Sequence, residues 1–214
     1  MTDGTAPELR ASWQRCWAGL GAKGDGAGVL EDLLARHAQP WRRYHTLQHL
    51  RECIAWFERA SALALHPAEV EAALWFHDAV YDLPGSGNEE RSAALAVASL
   101  APAGVAAEAV ARVERMVLAT QHGTDVPGSA DAQLLVDIDL AILGAPPPRF
   151  AEYEAQIRAE YAFVPEVQFL HKRSEILQSF LAQPRIYGTA FFFDALERQA
   201  RENLARGHRI RFVP

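Results

Sequence analysis

The sequence predicts an all-α protein, and three observations carry that expectation. Apolar residues recur three and four positions apart along most of the chain, the period of a helix with one buried face. Glycine- and proline-bearing runs punctuate these segments. No stretch alternates apolar and polar residues over the length of a strand, and no internal repeat or low-complexity tract occurs. At 214 residues, half of them apolar, the chain suits one domain with a full core. A single helical bundle over 1–214 is the expectation.

Each element follows from its pattern. Leu9, Trp13, Cys16, Trp17 and Leu20 predict a first helix over 8–20, which the glycine-rich run GLGAKGDGAG ends. Val29, Leu30, Leu33 and Leu34 predict a short helix over 27–37, and Pro40 closes it. The chain then passes through Trp41–Tyr44 into a helix carrying His45 and His49, with Leu47, Leu50, Ile54 and Phe57 on one side and His49, Cys53 and Trp56 on the next. His66-Pro67 opens another helix, proline being tolerated in the first turn. Val70, Ala73, Leu74, His77, Val80 and Tyr81 share a stripe there, which turns His77 to the core with Asp78 on its edge. After the turn DLPGSGN, helices are expected from Asn88 to Leu100, over 104–121 with His122 at its end, and over 130–143 before Gly144 and a triple proline. Three more follow at about 149–161, 166–182 and 189–206, with Pro184 between the last two.

Composition excludes several roles. A formal charge of −6 argues against a sequence-independent grip on nucleic acid, which needs a basic face. Cys16 and Cys53 lack CxxC spacing, so no disulfide framework or zinc knuckle is suggested. The opening MTDGTAPELRAS lacks the regions of a signal peptide, and no apolar run reaches the roughly 20 residues that span a bilayer. A cytoplasmic protein without a membrane partner is the expectation.

The stretch from Trp41 to Asp82 holds four of the eight histidines. His77 and Asp78 follow Leu74, Trp75 and Phe76, an apolar setting in which a carboxylate without a partner would cost several kcal/mol. A metal ion satisfies imidazole and carboxylate together; so does a simple His-Asp pair in the core. Downstream, VDIDLAILG offers two further carboxylates. Asp139 lies in the stripe of Leu135, Ile138, Ile142 and Leu143, whereas Asp137 points away, as a solvated charge or as a partner behind a ligand.

The runs RYHTLQHL, WFHDAVYD, GNEERSA and DIDLAILG, in that order, resemble the HD superfamily of metal-dependent phosphohydrolases, and within it the subgroup of predicted phosphohydrolases of uncharacterised substrate. RSEILQSFL and ALERQARENL extend the similarity, so it covers most of the chain. The YHxxxH run also resembles the cyclic nucleotide phosphodiesterases. One HD dipeptide is uninformative; four spaced elements in order are specific. The resemblance implies a helical bundle of the HD-domain type, with a metal-site core over about 41–144 and the helices of 149–206 packed on it.

The resemblance further implies His49, His77, Asp78 and Asp139 as ligands of one or two divalent ions (Mn, Fe, Co, Ni, Zn or Mg), with Asp78 able to bridge two. His45 would donate a proton to the leaving oxygen, for which an imidazole pKa near about 6.5 is suited; its alternative is a surface histidine at a helix start. His122, Lys172 and Arg173 are candidates to hold substrate phosphate, although a helix-end histidine and solvated cations are the plain alternatives. His37, His66, His171 and His208 fit no motif. The implied activity is hydrolysis of a phosphate ester or anhydride in a small nucleotide-like or phosphorylated metabolite, through metal-activated water. Di-iron oxygenase chemistry is one alternative; a metal-holding interaction module, dimerising through Phe191–Phe193, is another.

Overall fold

A computed structural model describes residues 7–121 and 128–210. Among these residues there are ten α-helices, two 3-10 turns and no strand. The backbone divides into two compact units, Met1–Val136 and Asp137–Pro214. No described helix is long and apolar enough to cross a membrane.

The first unit holds α1 (Pro7–Gly19), α2 (Ala27–His37), α3 (Leu47–Ala60), α4 (Pro67–Phe76), α5 (Asn88–Leu100), α6 (Ala107–Leu118) and the first turns of α7 (Ala130–Asp139). Its hub is α4. Every residue from Glu69 to Phe76 is buried, and α1, α3, α5 and α6 all pack against it. The Trp13 ring meets Trp75 and Phe76 edge-on, with centroids 5.3 and 6.3 Å away. Gly26 allows Trp17 this close, since a Cβ there would stand 2.6 Å from its ring and the backbone φ is +64°.

A helix buried on all sides must satisfy its acids internally. Glu71 accepts from Ser12 Oγ at 2.7 Å and from Arg15 Nε at 3.2 Å, while Trp75 Nε1 donates to Ser12 Oγ at 3.1 Å. Burial pushes the Glu71 carboxyl up, against the pull of Arg15 and Ser12. Glu69 takes both arms of Arg112 at 2.6 Å, tying α4 to α6. Where α4 starts, Asp131 accepts from the backbone N–H groups of Leu65 and His66 at 2.7 and 3.1 Å and pairs with His66 Nδ1 at 2.8 Å.

Helix α3 starts later than the sequence pattern suggests. Thr46 caps it, its hydroxyl accepting from Gln48 N–H at 3.2 Å, so His45 sits in the preceding turn and not on the helix. Helix α4 ends earlier, at Phe76. His77 is its C-cap, and Val80 and Tyr81 have left the helical stripe.

The second unit holds the end of α7, a 3-10 turn (Leu140–Gly144), α8 (Pro147–Glu160), α9 (Glu166–Ala182) and α10 (Ala190–Ile210). The expected helix over 130–143 therefore tightens after Asp139. α10 packs on α9 and on the 3-10 turn, and α8 packs on that turn as well. Asn203 Nδ2 donates to the carbonyls of Leu143 and Ala145, both at 2.8 Å. Glu197 accepts the N–H groups of Ile186 and Tyr187, and Tyr187 Oη donates to Leu140 O at 3.0 Å. Phe192 is fully buried among these groups.

Candidate metal centre

Helix α3, the turn before it and the turn after α4 carry the site. Arg42 joins the two turns. This nearly fully buried guanidinium donates from Nη1 to His45 O at 3.0 Å and to Asp78 O at 2.6 Å, and from Nη2 to Ala79 O at 3.1 Å. The Asp78 and Ala79 carbonyls belong to the segment where the chain has turned out of α4, and the helical stripe stops there. One rigid fork fixes three acceptors on two segments, a task that suits arginine better than lysine.

His49 on α3 and His77 at the end of α4 face each other, both 2% exposed, with Nε2 atoms 3.2 Å apart. His77 Nδ1 lies 2.8 Å from Leu74 O. A carbonyl only accepts, so in the neutral ring Nδ1 carries the proton and Nε2 presents its lone pair to His49. Asp78 Oδ2 stands 3.1 Å from His77 Nε2 and 3.5 Å from His49 Nε2. Burial pushes the Asp78 carboxyl up, but the neighbouring His77, His45 and His49 in their protonated forms outweigh it and hold the group well below the usual carboxylate range.

Three donor atoms thus form a triangle with edges of 3.1, 3.2 and 3.5 Å. Donors bound about 2.1 Å from a single ion stand roughly 3.4 Å apart in a tetrahedron and roughly 3.0 Å apart in an octahedron. The 3.1 and 3.2 Å edges fall in that range and the 3.5 Å edge lies just beyond it, so the residues fit a divalent cation. Cys53, one turn along α3 from His49, adds its Sγ 3.7 Å from the His49 ring nitrogens. Ligand atoms of His49, Cys53 and His77 all lie within 4.8 Å of one another. This buried group can hold a metal ion.

His45 stands beside the site, half-buried, with its ring stacked on Tyr81 at 4.0 Å and 6.0 Å from the His49 ring. His37 is completely buried, Nε2 3.5 Å from Trp75 O. Burial, then the nearby Arg42 charge, lowers its pKa to about 3, so it stays neutral at ordinary pH.

Asp139 is the last residue of α7 and half-buried. Asp137 is not the solvated charge that its side of the helical wheel suggests. It is fully buried, accepting from Gly188 N at 2.9 Å, Thr189 N at 2.7 Å and Thr189 Oγ1 at 2.6 Å, and it anchors the start of α10 as an N-terminal anion does. Arg173 is buried against Glu154, with its guanidinium carbon 5.0 Å from the centre of the Tyr153 ring; its charge is already matched within the second unit. Lys172 is exposed, 3.1 Å from Glu175. His122 lies outside the described residues. Two contributors escaped the sequence reading. Cys53 had a usable signal, four positions after His49 on a helix; Arg42, in a loop-like WRRY run, had none.

No protein-family model, curated protein or solved structure matches this chain.

Proposed function

We propose that this protein is a metal-dependent hydrolase of a phosphate ester or anhydride, organised as its resemblance to the HD superfamily implies. His49, His77 and Asp78 would hold the ion, with Asp139 as the further carboxylate ligand that the resemblance implies. The observation that supports this most strongly is the contact of His77 Nδ1 with Leu74 O at 2.8 Å. Leu74 O takes the Nδ1 proton, which leaves a lone pair aimed at a second imidazole and a carboxylate in one buried cluster. Such second partners commonly orient metal-bound histidines.

A bound divalent ion supplies an acidified water near neutral pH and polarises a phosphoryl oxygen. The chain supplies the rest. Arg42 fixes the turns bearing His45 and Asp78 through their carbonyls, so donor and ligand keep their spacing. His45, half-buried and stacked on Tyr81, is the residue placed to give a proton to the leaving oxygen. The resemblance implies Lys172 and His122 as candidates to offset substrate phosphate charge.

The test is a phosphomonoesterase and phosphodiesterase screen, with nucleotides and sugar phosphates, across Mn, Fe, Co, Ni, Zn and Mg. Turnover that disappears on chelation and returns with one of these ions supports the proposal. Metal-loaded protein that hydrolyses nothing in the panel overturns it.

A further inference from the structure

We propose that Cys53 is a thiolate ligand of this centre, giving it an N/O/S donor set that selects a thiophilic ion such as Zn, Co or Fe over Mg. The inference rests on the metal reading above and specifies which kind of ion the site takes.

Its basis is placement. Cys53 is 2% exposed and follows His49 by one turn of α3, so helix geometry sets both side chains on one face. Sγ lies 3.7 Å from His49 Nδ1 and 3.7 Å from His49 Nε2. Ligand atoms of His49, Cys53 and His77 all lie within 4.8 Å of one another, so a turn of the thiol about its Cα–Cβ bond brings the sulfur to an ion held by the two imidazoles. With ion–nitrogen and ion–sulfur bonds of about 2.1 and 2.3 Å, neighbouring N and S donors of a tetrahedron stand roughly 3.6 Å apart. The His49–His77 nitrogen separation of 3.2 Å belongs to the same small polyhedron.

The chemistry follows from the donor. On binding, the S–H bond breaks, the proton passes to solvent and the electron pair forms the sulfur–metal bond. A thiolate favours Zn, Co or Fe over Mg, which prefers oxygen donors. Cys16, the other thiol, lies elsewhere in the unit, its Sγ 3.4 Å from Ala68 O. It makes a ready control.

The experiment is cobalt(II) substitution of the full-length protein, read by electronic absorption. Wild type and Cys16→Ala should bind Co(II) and show a near-ultraviolet thiolate-to-cobalt charge-transfer band. Cys53→Ser should bind Co(II) through the remaining ligands and lose that band; Cys53→Ala stands in should the serine variant fold poorly. Bound Co(II) without a band in wild type overturns the assignment while leaving the metal reading intact. A band that vanishes in Cys16→Ala and persists in Cys53→Ser also overturns it. Wild type that binds no Co(II) overturns both.

Discussion

Arg42 donates to the carbonyl of Asp78 at 2.6 Å, and the same guanidinium nitrogen holds the carbonyl of His45 at 3.0 Å. A buried cation thereby couples the turn of His45 to the turn of Asp78 through backbone alone. Arg42→Ala should cost about 3 kcal/mol or more, because charged hydrogen bonds are lost and three carbonyls lose their donor. Arg42→Lys should recover only part, lacking the fork. Denaturant melts check this, and an alanine variant within about 1 kcal/mol of wild type would remove the coupling role.

The two histidines of YHTLQH should fail differently. His49→Ala should lose metal, since its Nε2 is one corner of the donor triangle. His45→Ala should retain metal and lose about 10²–10⁴-fold in turnover, the usual share of a general acid. Asp139→Asn should weaken metal binding, as its role in the resemblance implies. Metal content measured on the purified variants decides, and the reverse pattern would exchange the histidine roles.

Asp137 should prove structural. Asp137→Ala leaves the donors of Gly188 and Thr189 unpaired and should cost about 2–4 kcal/mol. A double-mutant cycle with Thr189→Ala should show coupling above about 0.5 kcal/mol. A variant that melts with wild type would contradict this.

Acid should destabilise the fold through His37. Its native pKa of about 3 lies below the unfolded value near about 6.5. Between those values the unfolded chain binds a proton that the native state refuses, so stability falls as pH drops through that window, by up to about 1.4 kcal/mol per pH unit. The contribution is fully present above about 6.5. His37→Leu should flatten the decline; an unchanged slope in urea melts from pH 6.5 down would exclude His37 as its source.

Helix periodicity carried most of the architecture: α2, α5 and α9 occupy the segments that their apolar spacing marks. Periodicity misled where hydrogen bonds set the ends. It ran His45 into α3, although the Thr46 hydroxyl starts that helix, and it ran Tyr81 into α4, although Arg42 captures the carbonyls of the departing chain. His77 and Asp78 stood out because two polar groups interrupt an apolar run, and His49 was singled out by the resemblance; the structure brings the three side chains together. Asp137 was misread because a wheel shows a direction and not the Gly188–Thr189 segment that arrives from 51 residues away. Arg42 was illegible because its partners are backbone carbonyls, which leave no mark in side-chain pattern.

The central claim is that His49, His77 and Asp78 bind a divalent ion in the folded chain. The most direct measurement is calorimetric titration of chelator-treated full-length protein with Zn(II), Co(II), Mn(II) and Mg(II), paired with thermal melts. The prediction is saturable binding of at least one of these ions, a melting temperature that rises with its concentration, and loss of both effects in His77→Ala. No saturable binding by verified metal-free, folded wild type, with a melt that no ion shifts, would contradict the account.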